Sequence, residues 1–232
     1  MAADTMPRVR SRESRRKSRR QGAREERGCP AAGFVLYVEG PRDRDLLRIW
    51  ARRLGHDLAR ALDRSVVIMG GRQPARAAGH FASVRARDAA ATGLVVLDRD
   101  HHDAAPEWPE DAPLDLYTWP RRHIESYVLV PAAIRRAAGC APADARVDRL
   151  LAEHLPEGVD GRAGHDLDAK RLLGSKGPLA RTLGRTLSSA DIARCMRADE
   201  VHADVVGLLG RTRTALGLSQ AEPEIVVRSK LR

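Results

Sequence analysis

Large rings are scarce. The 232 residues include two Phe, three Trp and three Tyr, 3% of the chain, although 43% are hydrophobic and 36 of those are alanine. A core built from this composition is rich in Leu, Val and Ala. Cysteine is equally sparse. Cys29, Cys140 and Cys195 stand far apart, which excludes both a disulfide framework and a zinc spacing and leaves buried or idle thiols. No apolar run approaches the roughly 18 residues of a membrane span. The opening MAADTMPRVRSR has no apolar stretch, so no secretory leader is expected and a reducing cytoplasm is the natural compartment. The length suits one α/β domain, alone or with a small appendage.

Lysine is the last scarcity: only four of the 41 basic residues are Lys. So strong an Arg preference, beside abundant Ala and Gly, reads as a coding habit and weakens any inference from the pI of 10.4 alone. The placement of the charge says more. Residues 1–28 hold ten Arg or Lys against four Asp or Glu, which is +6 of the net +10. This stretch has almost nothing to bury, so residues 1–30 are expected to form a disordered basic arm. Its densest part, Arg15, Arg16, Lys17, Arg19 and Arg20, suits nucleic-acid phosphates through counterion release. A solubilising tail is the plainer alternative.

Beyond the arm the pattern alternates. GFVLYVEG (Gly33–Gly40) is a continuous apolar run, as in a parallel strand buried on both faces. Gly40 permits a sharp turn, Pro41 opens a helix with Leu46, Leu47, Trp50 and Leu54 on one face, and Gly55 ends it. SVVIMGG (Ser65–Gly71) reads as a second strand, followed by helix over about 74–90. GLVVLDRD (Gly93–Asp100) is a third strand and LYTWP (Leu116–Pro120) a weaker fourth. The expected fold is a small Rossmann-like α/β domain over 31–140, with a mostly parallel sheet of about four strands flanked by helices. From 141 to 232 only helical segments appear, forming a C-terminal helical region.

The carboxylates fall where strands end. Glu39 closes the first strand, and Asp98 and Asp100 close the third. Two residues apart on extended backbone, Asp98 and Asp100 point to the same side. Asp43, one helical turn past Glu39, can face the same crevice. The carboxyl edge of a parallel sheet is its binding edge. Carboxylates converging there repel one another, and a divalent cation resolves the conflict. Hard oxygen donors suit Mg²⁺ or Mn²⁺, which also take phosphate oxygens. Free backbone N–H groups at the helix N-termini after Gly40 and after Gly71 are expected to hold phosphate, with Gly40, Gly70 and Gly71 making the turns.

Taken together, VEGPRD (Val38–Asp43), MGG (Met69–Gly71) and VLDRD (Val96–Asp100) resemble the Toprim domain of topoisomerases, primases and certain nucleases. The likeness covers roughly residues 33–130. Within that family the chain looks most like the OLD (overcoming lysogenization defect) nucleases. RRHIESYVL (Arg121–Leu129) is similar to a stretch found after the last strand there, with Ser126 where Asn is usual. The resemblance implies a Mg²⁺- or Mn²⁺-dependent nuclease with one or two ions. Glu39 would be ligand or general acid/base, Asp98 and Asp100 ligands, and Asp43 the acid for another ion. It also implies a lysine near the scissile phosphate. Lys170 and Lys176 are the candidates, and Lys176, between glycines, is preferred. The sequence holds no G-x-x-x-x-G-K-[ST] loop, so the resemblance implies a stand-alone domain with any ATPase supplied by a separate partner.

Other residues carry alternatives. Glu125, with Arg121 beside it, reads as an acid that supports the metal ligands from behind, as a third acid, or as a salt bridge to Arg121 or Arg122. His101, His102 and Asp103 offer a softer metal site or merely an exposed loop. Trp108 and Trp119 suit base stacking or packing. Two functions follow: a metal-dependent nuclease acting on DNA more readily than RNA, in phage defence or repair, or a non-catalytic nucleic-acid-binding module of the same fold.

Overall fold

The computed structural model describes residues 33–100, 108, 113–140, 144–155 and 165–219. The expected arm, with Arg15, Arg16, Lys17, Arg19 and Arg20, lies outside these residues, as do His101, His102 and Asp103. Four parallel strands form one sheet in the order β2-β1-β3-β4: β1 (Phe34–Val38), β2 (Val66–Ile68), β3 (Thr92–Leu97) and β4 (Leu114–Thr118). Leu36 pairs with Val66 on one side of β1 and with Leu94 on the other, and Val95 pairs with Leu116. The chain thus leaves β1 toward one side, returns across it, and continues on the other. This reversal opens a crevice beyond the carboxyl ends of β1 and β3, the place where open α/β sheets take ligands.

Between β1 and β2 run two helices, α1 (Pro41–Leu54) and α2 (His56–Ser65); α3 (Pro74–Arg85) joins β2 to β3. The strands are shorter than the sequence pattern predicts. The second keeps only three residues, and the third ends at Leu97, before its acids. The helix expected over 74–90 stops at Arg85. After β4 a 3₁₀ turn (Ile124–Val128) leads into α4 (Pro131–Ala138), α5 (Ala145–His154), α6 (Ala169–Leu173), α7 (Pro178–Leu183), α8 (Ser189–Cys195) and α9 (Ala203–Ala215).

Strand alternation sorts the core into two layers. Val35, Tyr37, Val95 and Leu97 face α3 and pack with Ala77, Phe81 and Val84. Leu36, Val38, Leu94 and Val96 face the other way, into a larger cluster that includes Leu47 and Trp50 of α1, Val147 of α5, Ile192 of α8 and Leu208 of α9. The helices after residue 144 therefore share their core with the sheet. Trp50, fully buried, donates its indole N–H to Met196 Sδ at 3.4 Å. Arg213 of α9, 5% exposed, donates from both terminal nitrogens to the Asp57 carboxylate at 2.8 Å, which ties α9 to the start of α2. Trp119 is buried among the rings of Tyr117 and Tyr127 and is a core residue, so the base-stacking expectation does not apply to it. Trp108 packs against the α3 layer and donates to Leu114 O. Among the described residues no helix is long and apolar enough to cross a membrane.

Candidate functional site

Each acid is placed by backbone that the sheet holds fixed. Glu39 follows β1 directly. Its carbonyl accepts from Gly70 N at 3.0 Å and Gly71 N at 2.8 Å, and its Oε1 accepts from Asp98 N at 2.9 Å. One residue thus links the ends of β1, β2 and β3. The clamp requires the turn after β2 to double back, with φ of 82° at Gly70 and 120° at Gly71, a region that residues with a Cβ avoid. These N–H groups are therefore taken. Gly40 N is taken too, by Asp43 Oδ2 at 2.8 Å. Gly40, Gly70 and Gly71 thus make structural turns with their own N–H groups engaged, Gly40 on the Asp43 carboxylate and Gly70 and Gly71 on the Glu39 carbonyl.

Asp98 lies just beyond β3 and is 6% exposed. Its Oδ1 accepts from Ile124 N at 2.8 Å, and its Oδ2 meets Lys170 Nζ at 3.0 Å. Arg72 donates to Asp98 O and stands 4.0 Å from Glu39 Oε1. A cleft of about 620 Å³ is lined by Glu39, Asp43, Asp45, Asp98 and Glu125 together with Arg42, Lys170, Gly70 and Gly71. Glu125 is 3% exposed and accepts from Arg42 at 3.1 Å, a partner the sequence reading did not propose.

Asp100 departs from the expected geometry. The backbone is no longer extended there: φ is 52°, a left-handed conformation. Asp100 N donates to Arg122 O, and its Oδ1 lies 3.3 Å from His123 Nε2. Asp98 and Asp100 thus do not share one face as neighbours on a strand, and Asp100 is not among the residues lining the cleft.

The lysine preference is corrected as well. Lys176 is exposed in the turn between α6 and α7 and lines neither the acid cleft nor the recess beside it. Lys170 lines both. The glycines around Lys176 answer to packing: a Cβ on Gly177 would lie 2.9 Å or less from the carbonyl oxygens of Arg171, Leu172 and Gly174.

The electrostatics follow from burial and crowding. Burial, reinforced by the charge of Asp98, pushes the Asp43 carboxyl up to about 7 despite its bond from Gly40 N. Burial also raises Glu39, aided by the charges of Asp98 and Asp100 and opposed by the Asp98 N–H. Asp98 is raised by burial even with Lys170 against it. Burial works to lower Lys170, but Asp98 outweighs it and holds the ammonium above its ordinary range. His123 is lowered, chiefly by burial and then by Lys170.

Among the described residues, no three His, Cys, Asp or Glu side chains already stand close enough to enclose an ion. The donor chemistry nevertheless fits a hard divalent cation. Glu39, Asp43 and Asp98 are carboxylates made harder to ionise chiefly by burial, with acid neighbours adding to it, and a cation relieves that cost. Arg42, Arg72, His123 and the Ile124 N–H were missed by the sequence reading. The two arginines follow glycine turns that the reading did locate. Nothing in sequence marks His123 or a backbone donor.

No family model matches the chain, and no curated protein matches it. Among solved structures it is similar to the C-terminal region of the Burkholderia pseudomallei OLD protein. The identity is 19% and the TM-score 0.47, over 80% of this chain and 99% of that one. The likeness is one of chain path, and the roles of the residues rest on the geometry above.

Proposed function

We propose that the chain is a divalent-cation-dependent nuclease that hydrolyses nucleic-acid phosphodiesters, with DNA its preferred substrate. One observation carries this reading: Glu39, Asp43 and Asp98 converge with Lys170 in a cleft at the carboxyl ends of β1 and β3. Glu39, Asp43 and Asp98 would hold one or two Mg²⁺ or Mn²⁺ ions, with Asp100 and Glu125 beside them. Bound there, such ions lower the pKa of water and stabilise charge on phosphate oxygens. The chain's own residues supply the rest. The clamp on Glu39 fixes its carboxylate. Asp98 is oriented by Ile124 N. Lys170, Arg42 and Arg72 offset the charge of phosphate oxygens entering a cleft otherwise lined by acids. An ATPase carried by another chain is the proposed partner.

The test is direct. The purified chain with MnCl₂ nicks supercoiled plasmid, and Glu39→Gln or Asp98→Asn abolishes nicking while circular dichroism stays unchanged. If wild type and both variants bind DNA equally and none cleaves with any divalent ion, the non-catalytic binding module is the correct reading.

A further inference from the structure

A second, smaller recess of about 220 Å³ opens off the acid cleft and shares Arg42, Glu125, Lys170, Ser188 and Ser189 with it. Its apolar wall is Leu173 and Leu187, which are 8% and 2% exposed. At this volume it holds about seven waters at roughly 30 Å³ each. It falls below the roughly 300–1,000 Å³ of sites for larger ligands. The volume admits one flat heterocycle against that wall and excludes a base pair.

The polar groups of the recess point to the same ligand. Glu125 is 97% buried. Arg42 occupies its Oε1 at 3.1 Å, while its Oε2 is buried with no hydrogen-bond partner. A buried acceptor without a donor is an exception among folded proteins, and a small turn of the carboxylate toward the recess would present it to an entering N–H group. Exocyclic amino groups of bases are such donors, and carboxylates accept from the N4 amine of cytosine. Arg42 and Lys170, shared with the acid cleft, supply positive charge for the adjoining phosphate. Among the described residues, no aromatic ring lines either space.

We propose that this recess receives one unpaired, amino-bearing nucleobase next to the scissile phosphate, so that the substrate is single-stranded, frayed or locally unpaired nucleic acid. The inference rests on the nuclease reading and narrows its substrate. A base within a duplex has both faces stacked on its neighbours, and it must leave the helix to enter.

The experiment uses the full chain, fluorescein-labelled (dC)12, (dT)12, an abasic 12-mer and a 12-base-pair duplex, and anisotropy in EDTA so that cleavage does not intervene. (dC)12 binds most tightly. The abasic strand binds about tenfold more weakly, the scale of losing one base contact. Ser175→Trp and Thr186→Trp alter exposed residues lining the recess. Each brings (dC)12 down to the abasic level and leaves abasic binding unchanged. Equal affinity for (dC)12 and the abasic strand, or no effect of either tryptophan, overturns the base recess while plasmid nicking can persist. Equal affinity for (dC)12 and (dT)12 overturns the preference for an amino-bearing base. Absence of nucleic-acid binding both in EDTA and with Mn²⁺ present defeats the nuclease reading itself.

Discussion

Adding Mn²⁺ to the cation-free protein should raise its melting temperature far more at pH 8 than at pH 5.5. The reason lies in the crowded acids. In the folded chain Asp43 is pushed up to about 7, and Glu39 and Asp98 are raised as well. An acid whose folded value exceeds its unfolded one keeps a proton that the unfolded chain releases. Without a cation, stability therefore falls as pH climbs from the ordinary carboxylate range to about 7, and stays low above it. Cation binding needs the ionised acids and releases those protons. At pH 8 Asp43 is mostly ionised. A cation at a hundred times its Kd then stabilises by about 2.7 kcal/mol. For a chain of this size that corresponds to about 5–10 °C, at about 2–4 °C per kcal/mol. At pH 5.5 Asp43 holds its proton in about 97% of molecules, so apparent affinity falls about thirtyfold and the gain shrinks to about 0.8 kcal/mol, or about 2–3 °C. Differential scanning calorimetry of EDTA-stripped protein titrated with MnCl₂ at both values gives the answer. Asp43→Asn should flatten the pH difference. Equal gains at the two pH values, or a gain that survives the double variant Glu39→Gln/Asp98→Asn, would refute the reasoning.

Three further outcomes follow. Lys170→Met should lower plasmid nicking at least about tenfold. Because the Lys170 side chain is 43% exposed, stability should change by no more than about 1 kcal/mol, and Lys176→Met should match wild type. Gly71→Ala forces a Cβ onto a φ of 120° and should cost about 1–3 kcal/mol, read as a lower urea midpoint, with weaker Mn²⁺ binding as the Glu39 clamp loosens. Deletion of residues 1–28 should weaken DNA binding and flatten its dependence on salt, whereas an unchanged slope would show that the basic run makes no phosphate contacts.

The parts of this architecture legible in the sequence are those set by contiguous runs. β1, α1 and β3 were visible because Phe34–Val38 and Leu94–Leu97 are unbroken apolar stretches and Pro41 and Gly55 bracket α1. α2 was passed over because Gly55 reads as a stop; a single residue separates two helices, and Leu58, Ala59 and Leu62 at helical spacing were the signal for the second. The acids were found because they follow strands, but their orientations were not. Asp100 turns out of the extended pattern where the carbonyl of Arg122, in the segment after β4, accepts its N–H. Lys170 meets Asp98 across 72 residues, a pairing set by how α6 packs, and no local pattern distinguishes it from Lys176. Trp119 was ambiguous by type alone, and burial decides it.

The bond between Lys170 and Asp98 also bears on how such a chain can be rearranged. The sheet contributes mutually repelling acids, while the charge that quiets Asp98 comes from a helix far downstream. The two stretches cannot be inherited or exchanged as interchangeable cassettes: a sheet grafted onto foreign helices would bring its repulsion along and leave its remedy behind.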